Sequence, residues 1–473
     1  MDKERLLELL DKPLHLFAAL YEFLEPDYGE KSNPIYTNPS VRKYFDRLSD
    51  DLLKNISKWY SCLSNHHHLE KVKHMIAKES NFDLLCLALF SALGQYIVKS
   101  RKEPIGCIDP IRIGDHIISS KPPNPIYDIL QDSHQAIRND YGTSIHDLSE
   151  VFQYIYIAKE VSLKIDLMKN SVIKRTSTYL KKRLENGLRI AVTPFMGHTE
   201  FQVESLIGSW YRKEKTPYCF KCIVNSEEAK SYLKEKILLP CLEKDVAVLI
   251  LPELTVDNTL LSSLRHWLSE NNRELVSSGT GGILLVVAGS FHVKKSTNAI
   301  YNTSTVINHA GEILWAQDKL KRFSLDRNDV KGTPELKEVL KISDAGGYEQ
   351  IHETDALCCV DMSIGRVSVC ICLDYFHKKH TDSLKQSGIN VFLIPAMTPK
   401  NIQFKQAAWR FGNTNLASSF FANSAYIAAR KHDGSVSEKG ASFFYIPSRK
   451  NPYKYATGEH SELLIFDLDR VSL

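Results

Sequence analysis

VSVCICLDYF, residues Val367–Phe376, is the stretch on which the fold turns. It opens as a β-branched apolar run, and such a run reads as a buried strand. The run stops at Cys372, and the chain turns polar at Asp374, His377 and Lys378. A cysteine at the end of a buried strand can sit in a sharp turn with its sulfur facing a pocket. Backbone N–H groups after it, Leu373's first, would then point at whatever the sulfur attacks. Taken alone, a cysteine in an apolar run is better read as a small core residue. The flanking sequence shifts that balance.

Strands and helices alternate on both sides of this stretch. Asn186–Gly187 marks a change of composition, with Gly187 as a helix C-cap. Strands are expected at 188–195, 246–251, 283–290, 366–372, 390–395, 425–429, 441–446 and 463–468. A hairpin is expected over Asn302–Asn308 and Glu312–Ala316. Helices are expected at 258–272, 382–387 and 407–424. This alternation makes residues 187–473 an α/β domain.

Three residues of that domain form a chemically complete set. Glu253 closes one strand, Lys319 follows the hairpin, and Cys372 closes another strand. A thiol with a pKa of about 8.5 is a weak nucleophile at neutral pH. A carboxylate can take its proton, and an ammonium can hold the thiolate and then a developing oxyanion. Each member also has a plainer reading, Glu253 as a strand-end carboxylate and Lys319 as one of the basic residues Lys319, Lys321 and Arg322.

These segments carry a resemblance. VAVLILPELT (246–255), VVAGSFHV (286–293), AIYNTSTVINHAGEIL (299–314), AQDKLKRF (316–323) and VSVCICLD (367–374) resemble, in order, the motifs of the nitrilase superfamily, the carbon–nitrogen hydrolases. The resemblance continues through NVFLIPAM, ANSAYIAA, KGASFFYIP and SELLIFDLDRV. It implies a nitrilase-type αββα sandwich, and helical spacing sets a mostly α-helical N-terminal domain at 1–185 ahead of it. It implies Glu253 as general base, Lys319 as the oxyanion-holding cation, Cys372 as nucleophile and the Leu373 N–H as a second oxyanion donor. Many members use a second glutamate between lysine and cysteine. Glu335 is the candidate here, with Glu338 behind it.

The implied function is hydrolysis of a non-peptide carbon–nitrogen bond, an amide or a nitrile, through a thioester, with no metal and no organic cofactor. A homodimer through helices beside the nucleophile is implied as well, its face drawn from Phe411, Leu416, Phe420 and Phe421. The sequence departs from the family around the site. Gln317, Lys321 and Arg322 replace residues usual beside the lysine, and no arginine follows Asp374–Tyr375–Phe376.

Residues 1–185 resemble no family. Leu6, Leu7 and Leu10, then Leu48, Leu52, Leu53, Ile56 and Trp59, have helical spacing, residues 101–127 are proline-rich and loop-like, and 125–185 reads as helical again. This half would gate the site or recruit a protein partner, the latter through a basic face at Lys174, Arg175, Lys181, Lys182 and Arg183. His66–His68 reads as a solvated run, and Cys219-x-x-Cys222 without a second pair is a weak zinc motif.

Composition narrows the classes further. The 473 residues carry a net charge of +4, which makes no case for a nucleic-acid partner. Ten cysteines in so long a chain are no disulfide framework. The charged start MDKERLLELLDKPLHLF lacks a signal-peptide pattern, and the apolar stretch Leu84–Val98 is shorter than the ~20 residues a membrane span needs. A reduced, cytoplasmic protein is expected, with no membrane contact. The competing reading is a nitrilase-fold interaction or regulatory module with little or no turnover, part of a defence-type complex.

Overall fold

The computed structural model describes residues 1–24, 27–61, 66–99, 111–113, 116–120, 126, 155–159, 163–195, 199–205, 218–225, 227–279, 281–296, 299–325, 346–424, 438, 440–447, 452–456 and 463–468. The chain forms two compact units, the first of residues 1–121 and 137–160, the second of 122–136 and 161–473.

The first unit is built on the helices Lys3–Leu9, Pro13–Leu24, Tyr28–Thr37, Pro39–Ser61, His66–Lys78 and Phe82–Lys99. Leu52, Ile56 and Trp59 recur at helical spacing and are buried, as are Leu85, Leu89 and Leu93. Phe17 stacks on Phe90 with ring centroids 4.6 Å apart. The unit also holds a sheet that helical spacing did not predict: β1 (Ile111–Ile113), β2 (His116–Ser120) and β3 (Ile155–Lys159), paired antiparallel. The proline-rich stretch and the region after it thus contain strands, because three-to-five-residue strands are too short to show a period of their own. Among the described residues, no helix is long and apolar enough to cross a membrane.

The long segment of the second unit begins at Val161, ahead of Gly187. Strand β4 (Lys164–Leu167) pairs in parallel with β15 (Ala356–Met362), so it completes a sheet built from the far end of the chain. The helix Ser171–Asn186 follows, buries Ile173, Thr176, Leu180 and Leu184, and ends at Gly187 (φ 101°). Its basic face is partly engaged within this unit: Arg175 pairs with Glu312 at 2.9 Å and Arg183 with Asp245 at 2.6 Å.

Two seven-stranded sheets form the body. The first runs β10 (Phe291–Lys294), β11 (Ile300–Asn308), β9 (Leu285–Val287), β8 (Val248–Ile250), β5 (Leu188–Val192), β21 (Leu464–Leu468), with β12 (Ile313–Asp318) also on β11. The second runs β20 (Tyr453–Ala456), β19 (Ser442–Tyr445), β18 (Ser418–Asn423), β17 (Val391–Ala396), β16 (Gly365–Val369), β15, β4. Both centres are parallel (β5, β8, β9 and β16, β17, β18), which explains their unbroken apolar runs.

Strand alternation sorts the large side chains. Phe420 and Phe444 meet Phe466 of the other sheet, at 5.8 and 5.2 Å between ring centroids. Their neighbour Phe421 faces the opposite way and packs on Phe404 of the helix Ile402–Asn415, at 4.5 Å. The helix Asn258–Asn271 covers the outer face of the first sheet with Leu260, Leu264, Trp267 and Leu268. The result is an αββα sandwich. A smaller sheet, β13 (Ser324–Leu325), β14 (Gly347–Glu349), β7 (Tyr218–Asn225), β6 (Thr199–Ser205), stands beside it.

One element is corrected outright. The helix expected through Ser424 stops at Asn415, and Ser418–Asn423 is a core strand. Leu416 takes the left-handed conformation (φ 52°), and the Ala417 N–H donates back to the Phe411 carbonyl, which closes the helix. Phe411, Phe420 and Phe421 are therefore buried in the unit's own core, and of the four residues expected at a dimer face Leu416 is the exposed one. The expected strand at 425–429 lies outside the described residues.

Candidate active site

The residues singled out from sequence leave the sandwich at strand ends. The chain exits β8 through Leu251–Pro252 to Glu253, and Lys319 follows directly on β12. These two belong to the first sheet. Cys372 follows β16 of the second sheet and opens a short 3₁₀ turn, Cys372–Tyr375. The expected strand to Cys372 thus ends at Val369, and the cysteine sits in the turn. Its φ is 50°, a left-handed value that costs an ordinary residue about 1–3 kcal/mol. Leu254, next to Glu253, is also left-handed (φ 57°). Such outliers persist only where the surroundings enforce them.

The three side chains converge. The Lys319 Nζ donates to Glu253 Oε1 at 2.7 Å, and the Cys372 thiol is hydrogen-bonded to the Glu253 carboxylate. Asp374, two residues after the cysteine, accepts the backbone N–H groups of Leu320 and Lys321, both at 2.9 Å. The turn that carries the nucleophile therefore also grips the loop that carries the lysine. Gln317, one of the departures from the family pattern, takes the Cys358 N–H and donates to the Ala356 carbonyl, so it stitches β12 to β15.

A second carboxylate is present among the described residues. Glu335 and Glu338 lie outside the described residues. The carboxylate at the site is Glu349, the last residue of β14. Its Oε2 accepts from Lys319 at 2.8 Å and from the Phe323 N–H at 3.1 Å. Its Oε1 is 2.9 Å from His292 Nε2 and accepts from Asn302 Nδ2 at 2.7 Å. The same Asn302 amide donates to Glu253 at 3.0 Å, so one side chain spaces both carboxylates. Glu349 gives little local signal, since it ends a three-residue strand. The pair Gly346–Gly347 ahead of it is the only hint of an ordered turn. Asn302 lies in the Tyr-Asn hairpin quoted above and was not assigned a role.

Burial sets the ionisation of this cluster. Glu253 is raised above the usual carboxylate range by burial, with Lys319 pulling it down and Glu349 pushing it up. Burial also opposes ionisation of Glu349, but Lys319 and His292 together hold it below that range. Lys319 stays protonated: burial works against its charge, and Glu253 and Glu349 overcome that. Cys372 is held well above an ordinary thiol by burial and by Glu253, against the pull of Lys319 and a backbone N–H from Met397. Burial pushes Asp374 up to about 8, opposed by Lys319 and its two N–H donors. At rest the site holds a neutral thiol whose proton faces a carboxylate, with an ammonium alongside. Two carboxylates pushed in opposite directions by one environment are suited to different tasks.

Gly289 keeps the base in place. It is left-handed (φ 59°), and a Cβ there would lie 2.1 Å from the Pro252 carbonyl oxygen. Gly289→Ala is expected to cost about 1–3 kcal/mol by overpacking and to displace Glu253. A melting temperature unchanged from wild type would contradict this.

No protein-family model and no curated protein matches this chain. Solved structures of the nitrilase superfamily are similar to it. Saccharomyces cerevisiae Nit3, a member of branch 10 of that superfamily, shares 17% identity over 60% of this chain and 90% of its own, at a TM-score of 0.36. An amidase from Nesterenkonia sp. shares 16% over 60% and 90%, at 0.38. The glutamine-dependent NAD⁺ synthetase from Acinetobacter baumannii shares 15% over 61% and 46%, at 0.38. What the site can do follows from its own distances and charges.

Proposed function

We propose that the second unit is a thiol-dependent hydrolase of non-peptide carbon–nitrogen bonds, acting on a small amide or a nitrile. The observation that carries this reading is one ammonium, Lys319, held between two carboxylates, one of which is hydrogen-bonded to Cys372. A cysteine only 6% exposed suits a small substrate rather than a polypeptide.

In the acylation step Glu253 takes the thiol proton as Cys372 Sγ bonds to the carbonyl carbon. The carbonyl electron pair moves to oxygen, where the Lys319 ammonium and the Leu373 N–H hold it. The C–N bond then breaks, and the leaving nitrogen takes the proton from Glu253. In the second step Glu253 removes a proton from water, the water oxygen bonds to the thioester carbon, and the C–S bond breaks. The sulfur recovers its proton from Glu253. Glu349 stays ionised throughout and keeps Lys319 charged and aimed.

The test is ammonia release from a panel of small amides and nitriles with the full chain, and acid-trapped thioester on the Cys372 peptide by mass spectrometry. Release together with the adduct is the expected result. Neither, across the panel, would remove the hydrolase reading and leave the interaction module.

The base must be ionised to act, so kcat/KM falls on the acid side. Glu253 is raised, which puts that limb above the ordinary carboxylate value of about 4.5. Glu349 raises Glu253, so Glu349→Gln should move the surviving limb to lower pH. A limb that stays put or moves up would show that Glu349 does not tune the base.

Two copies meet through the outer face of the helix Ile402–Asn415. Ile402 and Trp409, seven residues apart, are 53% and 59% exposed, and Leu416 continues the stripe. Trp409→Glu is expected to shift micromolar protein from dimer to monomer in light scattering. A monomeric wild type would rule the dimer out.

A further inference from the structure

One peptide group touches both reacting residues. The carbonyl of Ala396, the last residue of β17, accepts the N–H of Glu253 at 3.3 Å and that of Ser424 at 3.0 Å. The N–H of the same peptide belongs to Met397 and is hydrogen-bonded to the Cys372 sulfur. A peptide unit is planar, so its two ends turn together. In this orientation its carbonyl fixes the backbone of the base, and its N–H dipole faces the nucleophile. Rotating it by half a turn would release both.

Strand pairing alone does not hold it. The register of β17 with β18 ends at Ala396 opposite Asn423, and the chain leaves the sheet at Met397. The next residue is held by a side chain. Asn423 Oδ1 accepts the Thr398 N–H at 2.9 Å, and its Nδ2 donates to the Thr398 carbonyl at 2.8 Å and to the Gly440 carbonyl at 2.7 Å. Only this orientation of the amide satisfies all three partners, since one is a donor and two are acceptors. Asn423 is 1% exposed. A buried amide that grips both polar groups of one residue leaves that residue's φ and ψ little freedom, and Thr398 adjoins the peptide in question.

We propose that the Ala396–Met397 peptide sets the spacing between base and nucleophile, and that Asn423 is the positioning residue that locks its orientation. The inference rests on Cys372 being the nucleophile. It adds a sulfur-facing N–H, supplied from a different strand, to the donors on the turn itself. An N–H aimed at the sulfur favours thiolate over thiol. Its loss should therefore appear in the reactivity of the sulfur before any substrate is involved.

The experiment is iodoacetamide labelling of Cys372 across a pH series in the full-length protein, followed on the Cys372 peptide. Asn423→Ala is expected to slow labelling about tenfold at each pH below the thiol midpoint and to displace the rate curve toward higher pH, the effect of about one pKa unit. Ser442→Ala is the control. It removes the hydroxyl that accepts the Asn423 backbone N–H and leaves the amide grip intact, so its curve should overlay wild type. A merely structural Asn423 would lower the melting temperature without displacing the curve, and that result overturns the proposal.

Should Asn423→Ala fail to fold, the wild type carries the test. With ¹⁵N-methionine, five of the six methionines have a backbone amide signal to follow, since Met1 carries the terminal amine. Alkylating Cys372 should move the Met397 amide, and a signal that stays in place overturns the proposal. Because labelling reads the sulfur without turnover, the two ideas fail separately. A displaced curve in a protein that turns nothing over keeps this inference and removes the hydrolase. Turnover in wild type with no displacement in Asn423→Ala does the reverse.

Discussion

Cys372→Ala is expected to abolish turnover, a loss of about 10⁴-fold or more, while the melting temperature stays within a few degrees of wild type. The two halves of that result have different causes. The sulfur is the atom that would bond to substrate, and no neighbouring group can replace it. Lys319 and Glu253 remain and still bind and polarise an amide, but without acylation the first step has no path. Stability changes little because the substitution removes one heavy atom and leaves a small cavity. The lost bond from the Met397 N–H adds on the order of 1 kcal/mol. Alanine also pays the left-handed strain that cysteine paid at φ 50°, so that part cancels. Turnover surviving in this variant would move the nucleophile elsewhere. A melt lower by more than about 10 °C would make Cys372 a core residue first.

Lys319→Met should be the most destabilising single change at the site, by about 3–5 kcal/mol at neutral pH. Glu253 and Glu349 are 2% and 1% exposed, and both lean on this one ammonium. Methionine fills similar volume but leaves two desolvated carboxylates facing each other through Asn302. The pH dependence gives a second check. Without the cation both carboxyls are raised in the folded state, so the folded chain binds more protons than the unfolded one. Stability then falls as pH rises. The deficit of Lys319→Met should therefore be greatest at neutral and alkaline pH and shrink as pH falls toward the carboxylate range. In the wild type Glu349 has the opposite sign. It is held below its unfolded value, so its contribution is present above that value and is lost as pH falls through the folded one. A deficit independent of pH would show that Lys319 matters by packing, not charge.

Much of the site was legible because strand ends are. Pro252–Glu253, Asp318–Lys319 and Cys372–Asp374 each close an apolar run with a polar residue, and an alternating α/β pattern brings such ends to one edge of a sheet. Glu349 was not legible in this way. Its strand is three residues long and belongs to the small side sheet, so neither period nor length marks it. Glu335 was singled out as a glutamate between Lys319 and Cys372, a criterion that says nothing about which glutamate reaches Lys319. Asn302, His292 and Asn423 act through bonds to residues tens of positions away, and such bonds have no sequence period.

The fold divides along the same line. Apolar runs and their order settled that residues after Gly187 make strands and helices in alternation, since burial on both faces demands such runs. They did not settle where the helix from Ile402 stops. Ala417–Ser424 is apolar enough for either structure, and it became a strand because Phe420 finds Phe466 on one face while Phe421 finds Phe404 on the other. Nor could they show that β4, from before Gly187, completes the second sheet beside β15. By itself the sequence singled out a thiol, a carboxylate and an ammonium as candidates and set them at strand ends. Only the tertiary structure decided which second carboxylate joins them and how the two carboxylates divide. Ionisation depends on distance and burial, and both arise when the two sheets close on one another.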